Sequence, residues 1–86
     1  MYLDLLTPDG KIFSGEVFGA QMPGATGSFE VLEKHAPMIA ALQEGKLKIL
    51  KEKPQGGPES NYDIQAGFVE VLNNKVTVLV EGAKEV

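Results

Sequence analysis

Phe68-Val69-Glu70-Val71-Leu72-Asn73-Asn74-Lys75-Val76-Thr77-Val78-Leu79-Val80 carries the clearest structural signal in the chain. Two β-rich runs flank an asparagine pair, and asparagine tolerates the positive φ that a two-residue primed turn requires. The stretch is predicted to be a β-hairpin. Working back from it, Tyr62, Ile64 and Ala66 share one face of a preceding strand. Gly45-Lys46-Leu47-Lys48-Ile49 alternates, lysines to solvent and Leu47 and Ile49 inward. Leu50 followed by Lys51 breaks that phase and predicts a bulge.

The rest of the chain follows the same grammar. Leu3 and Leu5 alternate with Asp4, and Pro8-Asp9-Gly10 turns the chain into Lys11-Ile12-Phe13. Glu16 to Met22 and Ser28 to Leu32 read as strands on either side of a Pro23 to Gly27 loop. Met38 to Leu42 suits a strand or one helical turn, and Pro37 argues against helix at Ala36, so strand is the better reading. Lys53 to Pro58 reads as an exposed, flexible loop, and Glu81 to Val86 as a frayed polar end. About nine short strands in 86 residues require mostly antiparallel pairing, because parallel crossovers take a dozen residues or more. The fold class is all-β, a sandwich or barrel in a single domain.

Composition narrows function. Twelve Asp and Glu face eight basic residues, all lysine, which gives a net charge of −4. A nucleic-acid binder concentrates basic residues and leans on arginine for bidentate contacts, so nucleic acid is not an expected partner. Cysteine is absent and His35 is the single histidine, which excludes disulfides, thiolate sites and a closed structural zinc site. No apolar run reaches the ~18 residues of a membrane-spanning helix. Met1-Tyr2-Leu3-Asp4 has no basic segment ahead of an apolar run, so no signal peptide is read, and a cytoplasmic setting is expected.

Catalytic constellations are missing. A general base needs an orienting partner, and Glu33, two residues from His35, does not make one; packing, turn capping or a protein contact suits His35 better. Ser14 and Ser28 lie outside any nucleophile elbow. Glu30 and Glu33 read as a solvated face rather than a tuned pair. Gly24-Ala25-Thr26-Gly27 lacks a phosphate loop's lysine and following helix. Lys46, Lys48 and Lys51 read as a soluble, guarded edge, and no lysine has the hairpin setting of a lipoyl or biotinyl carrier. That leaves surface: Phe18, Met22, Phe29 and Met38 suit the core better than an interface, and any exposed together near the Pro23 to Gly27 loop would mark a docking patch.

Three segments carry a family likeness: Phe13-Ser14-Gly15; His35-Ala36-Pro37-Met38-Ile39-Ala40-Ala41-Leu42; and Ala66-Gly67-Phe68-Val69-Glu70-Val71 with Asn74-Lys75-Val76-Thr77-Val78-Leu79. In this order and spacing, almost the whole chain resembles the N-terminal domain of the epsilon subunit of F-type ATP synthase. The resemblance implies a flattened antiparallel β-sandwich of about nine to ten strands over residues 1–86, with all chemistry left to other subunits. It implies a central-stalk role coupling rotation to ATP synthesis in a proton-translocating enzyme on the cytoplasmic face of the bacterial inner membrane. The implied partners are the gamma subunit, met by Thr7, His35 and Ala40, and the c-ring, met by Thr26, Gly27 and Ser28. No cofactor, metal, nucleotide or small-molecule substrate is implied. Relatives often carry glutamate where Ser28 stands, and Pro-Gly where Glu33-Lys34 precedes the histidine. They usually continue into a two-helix inhibitory hairpin, which in some binds ATP. No helical pattern is present here, so coupling without that brake is expected. The other readings are a free-standing peptide or carbohydrate adaptor and, less well supported, a small isomerase or hydrolase.

Overall fold

In the computed structural model, which describes residues 1–53 and 56–86, Asn73 and Asn74 have φ of 51° and 60°. Both values belong to a primed turn, whose twist matches that of the strands it joins. The chain runs through β1 (Tyr2–Thr7), β2 (Gly10–Glu16), β3 (Gly19–Gly24), β4 (Gly27–Leu32) and β5 (Met38–Leu42). It continues through β6 (Gly45–Leu50), β7 (Glu59–Ile64), β8 (Gly67–Leu72), β9 (Lys75–Val80) and β10 (Ala83–Glu85). No helix occurs among the described residues.

The strands bond in the order β10-β7-β6-β3-β5-β8-β9-β1-β2, with β4 on β3. The β3–β5 join is a single pair, Gly24↔Leu42. Two halves, β10-β7-β6-β3-β4 and β5-β8-β9-β1-β2, meet at this corner and fold over one core. The result is a β-sandwich curved close to a barrel, with extents of 27 × 26 × 24 Å. One pairing is parallel: β1 lies along β9 from Tyr2↔Lys75 to Leu6↔Leu79. The other ladders are antiparallel.

Strand alternation builds the core. Val69 and Val71 on β8 and Val76, Val78 and Val80 on β9 point inward and are buried, as are Leu3, Leu5, Leu47 and Ile49. Packing is close enough that a Cβ on Gly67 would stand 2.0 Å from the Leu79 carbonyl oxygen. Only glycine fits at that crossing.

Several expectations are corrected. There is no bulge at Leu50, which stays in register with Gly19 and Glu59 and is buried. The register instead slips between Leu5 and Leu6. Ala66 follows β7 and is exposed. The Pro23 to Gly27 loop is shorter than expected, since β3 runs to Gly24 and only Ala25-Thr26 turns. The last residues are not frayed: β10 pairs with β7, and the Val86 N–H donates to the Asn61 carbonyl at 2.9 Å. The flexible-loop reading of Lys53 to Pro58 falls in part on residues 54 and 55, outside the described residues.

A polar corner ties the β4–β5 connection to the hairpin turn. The Lys34 N–H donates to Asn74 Oδ1 at 2.9 Å, and Asn74 Nδ2 donates to Glu33 Oε1 at 3.0 Å. The Met1 ammonium donates to Glu33 Oε2 at 2.8 Å and to Glu16 Oε2 at 3.3 Å. The bond from the N-terminal ammonium, then that from Asn74, holds the Glu33 carboxyl below the usual carboxylate range. Lys34 itself has φ of 63°, a left-handed conformation costly for a residue with a Cβ.

Two outcomes follow. Lys34→Gly removes the left-handed strain but frees the unfolded chain, so it should stabilise by about 0.5–1 kcal/mol, read as a higher Tm. Glu33 ionises more readily folded than unfolded, so its contribution is present above the unfolded pKa and lost as pH falls. Melting scans of Glu33→Gln should therefore converge on those of the wild type below about pH 4 and lie under them at neutral pH.

Candidate functional site

The alternation that sends valines inward sends their neighbours out. On β8 and β9, Phe68, Leu72 and Leu79 share the outward side with Glu70 and Thr77, and β5 adds Ile39 and Ala41 beside them. Ile39 is 74 % exposed, Phe68 60 %, Leu79 53 % and Leu72 47 %. One cross-strand row reads Ala41, Phe68, Leu79, Leu6; the next reads Ile39, Glu70, Thr77, Asp4, Ser14. Large apolar side chains gathered on one face of a small domain mark a protein-interaction surface. Two open clefts border it: one of about 280 Å³ against Pro8, Phe68 and Leu79, and one of about 340 Å³ against Pro37, Ile39 and Leu72.

Near the Pro23 to Gly27 loop the core reading holds and no large apolar side chain among the four is fully exposed. Met22 is buried in the core, and Phe18, Phe29 and Met38 are half-buried. The signal for the exposed apolar face lies in the hairpin. Glu70 and Thr77 are the polar positions of β8 and β9, so apolar residues in the same phase must face solvent.

The positions carried over from the resemblance bracket this face. Thr7 is buried at the end of β1 beside Pro8; its hydroxyl accepts from the Asp9 N–H at 3.2 Å and faces the Gly10 carbonyl at 3.4 Å. His35 is exposed at the opposite end, before Pro37, with Nδ1 2.7 Å from the Ala36 carbonyl oxygen. The length of β1 separates these ends, about 17 Å at 3.3 Å per residue. Ala40 lies between them on β5, half-buried, its side chain against the core rather than on the outward side. Thr26, Gly27 and Ser28 are exposed at the β3–β4 turn. The Ala25 N–H donates to the Ala41 carbonyl at 3.0 Å, which sets this turn at the Thr7 end of the molecule. The structure thus places Thr7 and the Thr26 to Ser28 turn at one end and His35 at the other, rather than gathering these positions into one pocket.

Nothing in this arrangement assembles a reacting centre. The Glu33 carboxylate is engaged by the N-terminus and Asn74, and Glu30 accepts from Gln21 Nε2 at 2.8 Å. Glu30 and Glu33 therefore serve different partners. Among the described residues, no group of three His, Cys, Asp or Glu side chains is placed to hold a metal ion.

Comparisons with known proteins agree with the geometry. The family model described as the ATP synthase Delta/Epsilon chain, beta-sandwich domain, matches residues 1–86. The ATP synthase epsilon chain of Caulobacter vibrioides is 40 % identical over 85 residues, covering 99 % of this chain and 94 % of that protein. The epsilon chain of Salinibacter ruber is 43 % identical over 84 residues, and the match spans 92 % of this chain but only 56 % of the relative. Among solved structures, a chain in the Euglena gracilis mitochondrial ATP synthase OSCP/F1/c-ring complex superposes with a TM-score of 0.87 at 27 % identity. That match covers 96 % of this chain and 51 % of the other. A chain of the Tetrahymena thermophila central stalk and c-ring, at 20 % identity and a TM-score of 0.79, shares the fold. The chain belongs to the delta/epsilon chain family of ATP synthase and folds as its β-sandwich domain.

Proposed function

We propose that this chain is a non-catalytic rotor subunit that binds the gamma subunit through the outer face of β5, β8 and β9 and rests on the c-ring through the Thr26-Gly27-Ser28 turn. The observation that carries the reading is the exposed apolar face of Ile39, Phe68, Leu72 and Leu79, bracketed by Thr7 and His35. Hydrophobic anchors of this kind supply most of the free energy of a stable protein interface. Ala40 packs against the core and contributes by setting its neighbours Ile39 and Ala41 on the outward side of β5. The ring-facing turn lies at the Thr7 end, so a body seated on the ring by this turn would turn its apolar face to the side.

The mechanism is transmission of torque. A sandwich closed at the β3–β5 corner and pinned by the polar corner has little freedom to shear, because packed interiors resist deformation. Such a body seated between gamma and the ring carries rotation from one to the other, at the cytoplasmic face of the bacterial inner membrane in a proton-driven enzyme. A support comes from relatives named as epsilon chains and from a well-superposed chain in an F1/c-ring assembly.

Binding to the gamma subunit of the same organism, measured by calorimetry, tests the reading. Phe68→Ser should weaken it at least ~10-fold while leaving Tm near that of the wild type, because the ring is already mostly in solvent. Wild-type affinity in Phe68→Ser and Ile39→Ser alike would refute this face as the docking surface. A wild-type chain that failed to bind gamma at all would move the free-standing adaptor to the front.

A further inference from the structure

Asp4 lies on the outward side of β1, between the core residues Leu3 and Leu5, yet it is only 8 % exposed. The alternation of Leu3-Asp4-Leu5 predicts an aspartate open to water, and the structure instead covers it. Its cross-strand neighbours are Thr77 on β9 and Ser14 on β2, in the row that holds Ile39 and Glu70. Lys11 Nζ stands 3.8 Å from Oδ1 and Lys75 Nζ 3.5 Å from Oδ2. The neighbouring Ser14 hydroxyl, and then the two ammonium groups, hold the carboxyl below the usual range despite its burial. The Ser14 oxygen is itself shared with the Tyr2 hydroxyl at 2.6 Å. Asp4 is therefore charged at neutral pH.

Its Oδ1 is nevertheless buried without a hydrogen-bond partner, and it alone among the described residues is so placed. The Lys11 ammonium at 3.8 Å balances its charge from beyond hydrogen-bond distance, and a buried oxygen left short of a donor is costly, so native structures rarely leave one so unless something else completes it. The covering lysine side chains are 56 % and 54 % exposed, long and free to swing aside. Leu79 is the diagonal neighbour on β9, and Phe68 and Leu72 lie one strand further, so a partner laid across the face would cover Asp4 as well.

We propose that Asp4 is the polar specificity anchor of this face, its Oδ1 accepting a neutral N–H, main-chain amide or side-chain carboxamide, from the docking partner. The inference rests on the reading of the face as the gamma-binding surface. A neutral donor fits because two cations already flank the carboxylate; a third would be repelled, whereas an N–H supplies the missing bond and adds no charge. The apolar anchors supply the bulk of the affinity, and Asp4 rejects partners that cover it with a carbonyl or carboxylate oxygen.

Calorimetric titration with the gamma subunit separates the possibilities, with Asp4→Leu, Lys11→Gln, Lys75→Gln and Phe68→Ser compared and the Tm of each recorded. Asp4→Leu, which removes the acceptor at similar volume, should bind about 10- to 100-fold more weakly. The lysine variants, each removing one ammonium that is more than half exposed, should stay within about threefold of the wild type. Wild-type affinity in Asp4→Leu, with Phe68→Ser weakened, overturns the inference and leaves the docking face standing. Wild-type affinity in both refutes the face itself. Losses in the lysine variants as large as that of Asp4→Leu overturn the inference in favour of an ion cluster that merely shapes the surface. Should Asp4→Leu melt too low to titrate, the ¹³C carboxyl resonance of Asp4 in the wild-type chain decides: a shift on adding gamma supports the bond, and an unmoved resonance overturns it.

Discussion

The two-residue period of the β-strand, brought into register by the Asn73-Asn74 turn, is the constraint from which the rest of the molecule follows. Once both asparagines adopt positive φ, the register of β8 on β9 is set, and a slip of one residue would invert every side chain of the hairpin. The chosen register turns five valines into the core and Phe68, Leu72 and Leu79 into solvent. The core and the exposed apolar face thus lie on opposite sides of one hairpin. β1 then adds in parallel along β9, continuing the inner face through Leu3 and Leu5 and the outer face through Asp4 and Leu6.

The same turn is tied to the corner that precedes β5. Asn74 spends its side chain on the Lys34 N–H and on Glu33, so the segment carrying His35 is held against the hairpin tip. The resemblance places glycine where Lys34 stands, and the left-handed φ of Lys34 shows why glycine suits the position. This chain meets the requirement with a lysine, at a conformational cost offset by the hydrogen bonds of the corner.

Most of the fold was legible because it rests on alternation and turn chemistry, both local. The hairpin, the inward Leu47 and Ile49, and the strand reading of Met38 to Leu42 all stand in the structure. What was not legible depends on partners distant in sequence. Val86 is ordered by Asn61, and Leu50 is buried because Gly19 and Glu59 flank it. Asp4 is covered by lysines from β2 and β9, which no local pattern announces. The exposed apolar face is half legible: composition points to surface rather than chemistry, but the position of that surface is not in the composition. Phase within the hairpin would have pointed to Phe68, Leu72 and Leu79 instead.

Amide hydrogen exchange of the chain, alone and bound to the gamma subunit, tests whether this outer face is the surface that works. Slowed exchange concentrated in 38–41, 67–72 and 75–79, with β6, β7 and β10 unchanged, is the result the account predicts. Slowed exchange confined to β6, β7 and β10, with β5, β8 and β9 unaffected, would contradict it.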